Sequence, residues 1–190
     1  MSHDFVKGRT EPDAGYLESC IILENDLGGK VCSMKLIIEN VSKQYPGGVY
    51  GLRDFSLELD AGVLGLLGPN GAGKSTLMKI VATITQPTQG RVVWNGTEIA
   101  DSPNQVRSVL GYLPQDFGIY PNLNAVEFLD YMAAIKGLSA HTARERVEEL
   151  LDLVHLGAEV RSRPLGGYSG GMRQRVGIAQ ALLNDPRLLI

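Results

Sequence analysis

No stretch of this 190-residue chain approaches the ~20 consecutive apolar residues of a membrane-spanning helix. The first residues, "MSHDFVKGRTEPDAGYLESC", contain no apolar segment of the kind a secretory signal carries, so the sequence predicts no such signal there. Any work at a membrane is therefore expected to come through a partner. Cysteine is nearly absent: Cys20 and Cys32 are the only two, their spacing suits no metal site, and they fit a reduced, cytosolic protein. An excess of positive charge is missing as well. Residues 1–33 carry six acids and three bases, and the remaining 15 acids and 15 bases cancel, so no basic face of a general nucleic-acid binder is indicated. What is present is ordinary for a soluble globular protein, 44% hydrophobic and 21% charged, in a length that suits one domain or a domain with a subdomain.

Residues 1–33 show little periodicity, scattered charge and a Gly28-Gly29 break, and read as a poorly ordered extension. Met34 is a candidate natural start; a flexible arm and an upstream misreading of the frame are the two readings of what precedes it. From Met34 the chain alternates. "KLIIEN", "FSLELD" and "GVLGLLG" are strand-like, and a glycine-rich turn leads into the helical "KSTLMKIVATI", which Gln86-Pro87 is expected to end. "GRVVWNG" and "VLGYLP" are two further strand candidates. "NAVEFLDYMAAIKG" predicts a helix with Asn124 as N-cap, Glu127 three residues on, and Gly137 closing it. Val147, Leu150, Leu151 and Val154 mark a second helix, expected to end at Gly157. "MRQRVGIAQALLN" predicts a third, burying Val176, Ala179 and Leu183 before Asp185-Pro186 breaks it. This order predicts an α/β domain with a helical insertion.

Between the third strand and its helix stands "GLLGPNGAGKSTL", with the P-loop pattern Gly68-x-x-x-x-Gly73-Lys74-Ser75. The residue types suit phosphate. Glycines let the backbone curl so that successive N–H groups turn toward phosphate oxygens, with a helix N-terminus behind them. Lys74 supplies a compact, freely rotating cation for β- and γ-phosphates. Ser75 offers a hydroxyl to Mg²⁺, which prefers oxygen ligands. The competing reading is a glycine-rich turn with a chance Lys-Ser, and the flanking strand and helix count against it.

A P-loop alone leaves several nucleotide-binding families open. No Asn-Lys-x-Asp element follows it, and the only Asp-x-x-Gly, Asp26 to Gly29, lies ahead of it, so a GTPase is not indicated. Downstream, "GGYSGGMRQRVGIAQALLNDPRLLI" places Ser169-Gly170-Gly171 at the mouth of a helix, a second anion-binding pattern. Here the chain resembles the ATP-binding cassette (ABC) family over residues 34–190. "GPNGAGKST" is similar to its Walker A loop, "YLPQD" to its Q-loop, and "YSGGM" with "RQR" to its signature motif. Tyr168 and Met172 depart from the commonest signature, Leu-Ser-Gly-Gly-Gln, at both ends.

The resemblance implies a P-loop NTPase fold: an ATP-binding cassette core, a mixed sheet around the P-loop helix, with an inserted α-helical subdomain. The nucleotide-binding core would run over 34–117, the helical subdomain over 118–167, and the signature with its helix and the start of a further strand over 168–190. It implies that Gly68, Pro69, Asn70, Gly71, Ala72, Gly73, Lys74, Ser75 and Thr76 hold ATP, with Ser75 and Gln115 at Mg²⁺. Tyr45 in "SKQYPGG" matches the family's adenine-stacking aromatic, though a tyrosine before Pro-Gly is also an ordinary turn residue. Ser169, Gly170 and Gly171 would meet ATP bound to a second ATP-binding subunit, in a head-to-tail homodimer that closes on ATP and opens after hydrolysis. The remaining candidates read as bland: His141 and His155 as solvated helix residues with His3 in the loose arm, Arg173 and Arg175 as a helix face, and Phe128, Leu129 and Met132 as core.

The implied function is the ATP-hydrolysing subunit of an ABC transporter, peripheral on the cytoplasmic face of the cell membrane and docked through its helical segment on separate transmembrane permease subunits. Similarity of the short cassette with "YSGGM" to bacterial exporter subunits makes export the expected direction. One alternative is a soluble ABC-type ATPase acting on DNA or ribosomes; such chains carry coiled coils or zinc modules, and the 54-residue step from Gln115 to Ser169 has neither. The other is an ATP-binding module without turnover. In the family the strand that Leu188-Leu189-Ile190 resembles leads to the Walker B Asp and a catalytic Glu, followed by a switch His, and these would lie past Ile190. The expectation is a fold incomplete at its C-terminus, with no catalytic residue within the chain, ATP binding without appreciable turnover, a hydrophobic gap at the sheet centre and marginal stability.

Overall fold

A computed structural model of the chain describes residues 20–23, 34–115 and 117–190. It divides into two units, Met1–Arg107 with Arg187–Ile190, and Ser108–Pro186. The first carries β1 (Cys20–Leu23), β2 (Lys35–Gln44), β3 (Tyr50–Asp60), β4 (Gly62–Gly65), α1 (Lys74–Val81), β5 (Gln89–Trp94), β6 (Thr97–Glu98) and most of α2 (Pro103–Val109). The second holds β7 (Leu110–Gly111), α3 (Ala125–Ile135), α4 (Ala140–Leu153), α5 (Ala158–Arg161), a 3₁₀ turn at Leu165–Gly167 and α6 (Gly170–Leu182). The chain then returns to the first unit at β8 (Leu188–Leu189).

Alternation builds the antiparallel sheet β3-β2-β5-β6. Leu36 and Ile38 of β2 point inward, as a period of two requires. Asn40, at φ 47°, then shifts the register: Ile38 pairs with Leu57, but Val41 with Phe55. The Asn40 amide donates to Ser56 Oγ at 2.9 Å, and Ser56 Oγ donates to Asn40 Oδ1 at 3.2 Å, so the irregularity is held by side chains. Val41 is buried beyond it.

The other sheet of this unit differs from expectation. β1 lies between β4 and β8 and runs antiparallel to both, so β4 and β8 are parallel to each other. Residues 20–23 thus form an inner strand where the sequence predicts only a loose extension and a gap at the sheet centre. Ile21 is fully buried and pairs with the buried Leu64. The reason is non-local: "CIIL" is too short to show a period, and both partner strands lie far along the chain. The rest of the predicted 1–33 extension falls outside the described residues.

Two helices also end early. α1 stops at Val81 rather than at Gln86-Pro87, because Thr83 adopts φ 59° and the Ile84 amide donates to Lys79 O at 2.9 Å. Arg107 pins that turn, donating from Nε to Thr83 Oγ1 at 2.8 Å and from Nη2 to Thr83 O at 3.2 Å. α4 stops at Leu153, with His155 at φ 52° in the turn, while Gly157 begins α5 instead. His155 is therefore a turn residue and not a helical one. The strand expected over "VLGYLP" is reduced to Leu110–Gly111 by α2, which takes Val109.

In the second unit α3, α4 and α6 share one core. Phe128 and Leu129 of α3, Leu150 and Leu151 of α4, and Val176 and Ala179 of α6 are all fully buried in it. The predicted capping box is present: Glu127 N donates to Asn124 Oδ1 at 3.0 Å and Asn124 N to Glu127 Oε2 at 2.9 Å. Gly137, at φ 81°, follows the end of α3 as expected. We predict that Ile21→Ala lowers the unfolding free energy by about 2–5 kcal/mol, the range for truncating a fully buried isoleucine. Urea denaturation measures it, and a change below about 0.5 kcal/mol, as at a surface position, would show that β1 contributes nothing to the sheet.

Candidate functional site

β4 delivers the chain into the glycine loop, and the buried Leu66 anchors its start. Gly68, Gly71 and Gly73 adopt φ of 153°, 85° and 95°, conformations that side chains rarely allow. At Gly73 a second constraint operates: a Cβ there would stand 2.5 Å from the Gly51 carbonyl oxygen. The turn thus packs main chain against main chain and hands over directly to α1. No side chain caps α1, and its first turn holds no acidic residue, so the N-terminal amides and the positive end of the helix dipole are left to the loop side.

Lys74, the first residue of α1, is buried. Its Nζ donates to the carbonyls of Gly68 and of Pro69, the latter at 3.1 Å. The ammonium is curled into the loop that it follows, at the place where a cation would neutralise an anion held by the loop amides. Gly71 has nothing within 4 Å of where a Cβ would project, while Pro69, Asn70 and Ser75 are exposed and Ala72 and Thr76 half-buried. The sequence-predicted loop residues thus lie together on one turn ahead of α1, with Lys74 folded back onto it and the Ala72 amide donating to Pro69 O at 3.1 Å. Among the described residues no three His, Cys, Asp or Glu cluster as a metal site.

Tyr45 is brought to the same place. Its hydroxyl lies 3.4 Å from Thr76 Oγ1, and Lys43 Nζ stands 5.7 Å from its ring centre. The hairpin turn after β2 sets this position, with Tyr45 N donating to Val49 O at 2.8 Å and Gly48 N to Tyr45 O at 3.2 Å. Sequence reasoning passed over Gly51, which touches both Tyr45 and the loop; a glycine opening a strand beside a Tyr-Pro-Gly-Gly turn was the available signal.

The other predicted residues belong to the second unit. Gln115 is exposed in a bend four residues past β7. Ser169 is the N-cap of α6, its Oγ accepting from Met172 N at 3.2 Å. Gly170 and Gly171 are exposed, with open space around them. Tyr168 is buried and donates its hydroxyl to Val160 O at 2.6 Å. Burial pushes its phenol up, against a smaller opposing pull from Arg163, so the group stays a neutral donor. Arg175 donates to His155 O at 2.7 Å, and Arg173 is exposed. Near the start of α3, Tyr120, Pro121, Asn122, Leu123 and Tyr131 line an apolar cavity of about 350 Å³.

Residues 52–190 match the sequence pattern of the ABC transporter family. The chain belongs to that family. It is 36% identical over 144 residues to the ABC transporter ATP-binding protein NatA of Bacillus subtilis (strain 168), covering 75% of this chain and 58% of NatA. It is 34% identical over 155 residues to the molybdate/tungstate import ATP-binding protein WtpC of Methanocaldococcus jannaschii, covering 82% of this chain and 51% of that protein. It thus spans little more than half the length of these curated relatives. A dimeric structure of the ATP-binding cassette MJ0796, in a post-hydrolysis state bound to ADP and Pi, superposes with a TM-score of 0.64 at 28% identity, over 80% of this chain and 70% of that one. Among the described residues this ABC family member has mixed α/β content and no closed barrel, and its glycine loop lies between β4 and α1. We expect Gly73→Ala to cost about 1–3 kcal/mol through strain at a positive φ, more if Gly51 must shift, and to abolish binding of inorganic tripolyphosphate. Calorimetric titration beside a thermal melt checks both.

Proposed function

We propose that this chain holds Mg²⁺-ATP on its glycine loop as the ATP-binding part of an ABC transporter. The observation that carries the reading is the cradle itself: a buried Lys74 turned into a loop of left-handed glycines, at the mouth of a helix with no side-chain cap. Gly68 to Thr76 would wrap the phosphates with amide donors, Lys74 would balance the charge of the β- and γ-phosphates, and Tyr45 would stack on the base. Ser75 and Gln115 would supply oxygens to Mg²⁺.

Ser169, Gly170 and Gly171 open α6 in the manner of a second anion site, and we propose that they serve ATP on a second subunit in a head-to-tail pair. The dimeric MJ0796 cassette supports that assembly. In the whole protein, ATP hydrolysis would open the pair and drive separate transmembrane subunits at the cytoplasmic face, with the helical unit and its aromatic cavity toward them. Among the described residues no helix is long and apolar enough to cross a membrane, which fits a partner supplying the path. The sequence suggests export, while WtpC is named for import; we therefore propose transport without a direction. The residues assigned here hold nucleotide, and none of them is a general base for water.

The test is calorimetric titration of the chain and of Lys74→Ala with Mg²⁺-ATP. Binding should fall at least about tenfold in the variant, since a charge-assisted contact to phosphate of about 1.5–3 kcal/mol is removed, with the circular dichroism spectrum unchanged. Equal affinity in both would sink the reading.

A further inference from the structure

The strand that delivers the glycine loop, β4, pairs with β1 and with no other strand among the described residues. All four of its residues find their partners there: Gly62 opposite Leu23, Val63 opposite Ile22, Leu64 opposite Ile21 and Gly65 opposite Cys20. On its other side β1 pairs with β8, Ile22 with Leu189 and Leu23 with Leu188. Among the described residues, then, β1 alone joins β4 to the rest of its sheet, and the join ends at Gly65, three residues short of Gly68. The carbonyls of Gly68 and Pro69 receive the Lys74 ammonium, so a shift of β4 passes directly to the seat of that cation. The far end of the loop is fixed independently, by Gly73 against the Gly51 carbonyl and by the buried face of α1. The near end has two anchors, the buried side chains of Leu64 and Leu66 and the ladder to β1. Apolar burial has no direction, whereas a ladder fixes register.

We infer that Cys20–Leu23 is a positioning strand for the nucleotide loop: its pairing with β4 holds Gly68 and Pro69, and through them Lys74, in the geometry that takes a polyphosphate. The inference rests on the reading of the glycine loop as an ATP site. It gives a role to a segment that lies ahead of residues 52–190, the part that matches the family pattern. A loop that is competent in only a fraction of molecules binds with its affinity reduced by that fraction. Loosening β1 lowers the fraction at the glycine loop. It leaves the core of the second unit alone, because the buried residues of that core all fall between Ala125 and Leu183. Proline is the discriminating substitution. Each N–H of an inner strand serves one neighbour or the other, so proline at Ile22 deletes a ladder bond to β4 or to β8 and its ring disturbs the pairing. Valine keeps the donor and the strand preference.

Hydrogen exchange and calorimetry on the full chain test this. In Ile22→Pro, the β4 amides that are protected in the unmodified chain should exchange at least about tenfold faster, while those of Phe128, Leu129 and Val176 keep their protection. Inorganic tripolyphosphate should bind that variant at least about tenfold more weakly. Ile22→Val should match the unmodified chain in both. Val92→Ala, which truncates a buried residue of the other sheet, is the control: it should lower the melting temperature and leave β4 exchange and tripolyphosphate affinity unchanged. An unmodified chain with no protected β4 amide overturns the proposal, and so does an Ile22→Pro chain with unchanged exchange or unchanged affinity. So does a Val92→Ala chain that loses as much affinity as Ile22→Pro, since general stability would then set the binding. If the proline strips protection from the second unit too, it has unfolded the chain, and the milder Ile21→Ala decides by the same two readouts. An unmodified chain that binds no tripolyphosphate sinks the phosphate reading, and β4 exchange then decides the bracing by itself.

Discussion

The closeness of Gly73 to the Gly51 carbonyl is the constraint on which the candidate site depends. Two strands could not present a helix end so directly if a side chain stood between them, because a Cβ on Gly73 would fall within 2.5 Å of that oxygen. With the side chain absent, the loop can reverse at φ 95° and start α1 against β3. Everything chemical then follows from where α1 begins. Lys74 is its first residue and is obliged to fold back over the loop carbonyls. Leu77, Ile80 and Val81 lock the opposite face of the helix into the core, so the amide end cannot tilt away. A flexible loop would meet phosphate only after paying the entropy of curling; here the curl is built in by backbone packing.

The second unit reaches an equivalent result by other means. Its helix end is fixed by side chains and not by main-chain contact. Ser169 caps α6, Val176 and Ala179 commit one face of that helix to the shared core, and Gly177 leaves room for Leu113 and Phe117, where a Cβ would come within 2.7 Å of Leu113 Cδ1. Farther along, Asn184 ties the exit of α6 to the end of α3 and to the start of the unit. It accepts from Lys136 Nζ at 2.7 Å, and its amide donates to Ser108 O at 3.0 Å and Leu110 O at 3.4 Å. Burial lowers the Lys136 pKa, and the short bond to Asn184 gives that desolvated ammonium a partner.

What could be read from the sequence was local. The capping box of α3 needs only Asn124 and Glu127 three apart, and the core faces of α3, α4 and α6 repeat at helical spacing. The glycine loop is legible for the same reason, since its chemistry is written in nine consecutive residues, Gly68 to Thr76. What escaped was long-range. The end of α1 is set by Arg107 reaching Thr83, a contact with no signature near either residue. Proline at Gln86-Pro87 was a sufficient stop, but a left-handed Thr83 arrived first. β1 escaped because four apolar residues carry no period, and only two distant strands make them a strand. Gly51 escaped because its importance is an absence of volume between distant residues, and a glycine beside the Tyr-Pro-Gly-Gly turn is the one trace of it in the sequence.

Tyr168 shows how a departure from the common signature can leave the exposed Ser169-Gly170-Gly171 segment and the cap of α6 in place. Leucine is the residue usually found at that position in the family the chain resembles, and a leucine would serve by burial alone. A buried tyrosine carries a hydroxyl that costs free energy unless it is bonded. Here the ring is 4% exposed and the hydroxyl finds Val160 O at 2.6 Å, at the C-terminal end of the short helix α5. The polar atom is thus used to tie α5 to the residue immediately before Ser169. Arg161, on the same short helix, is held in turn by Leu156 O at 2.8 Å and by Glu148 at 2.9 Å on α4. The larger side chain is absorbed on the inner side of the segment, through a chain of contacts that ends on α4. Ser169, Gly170 and Gly171 on its outer side are left exposed, with the cap of α6 in place.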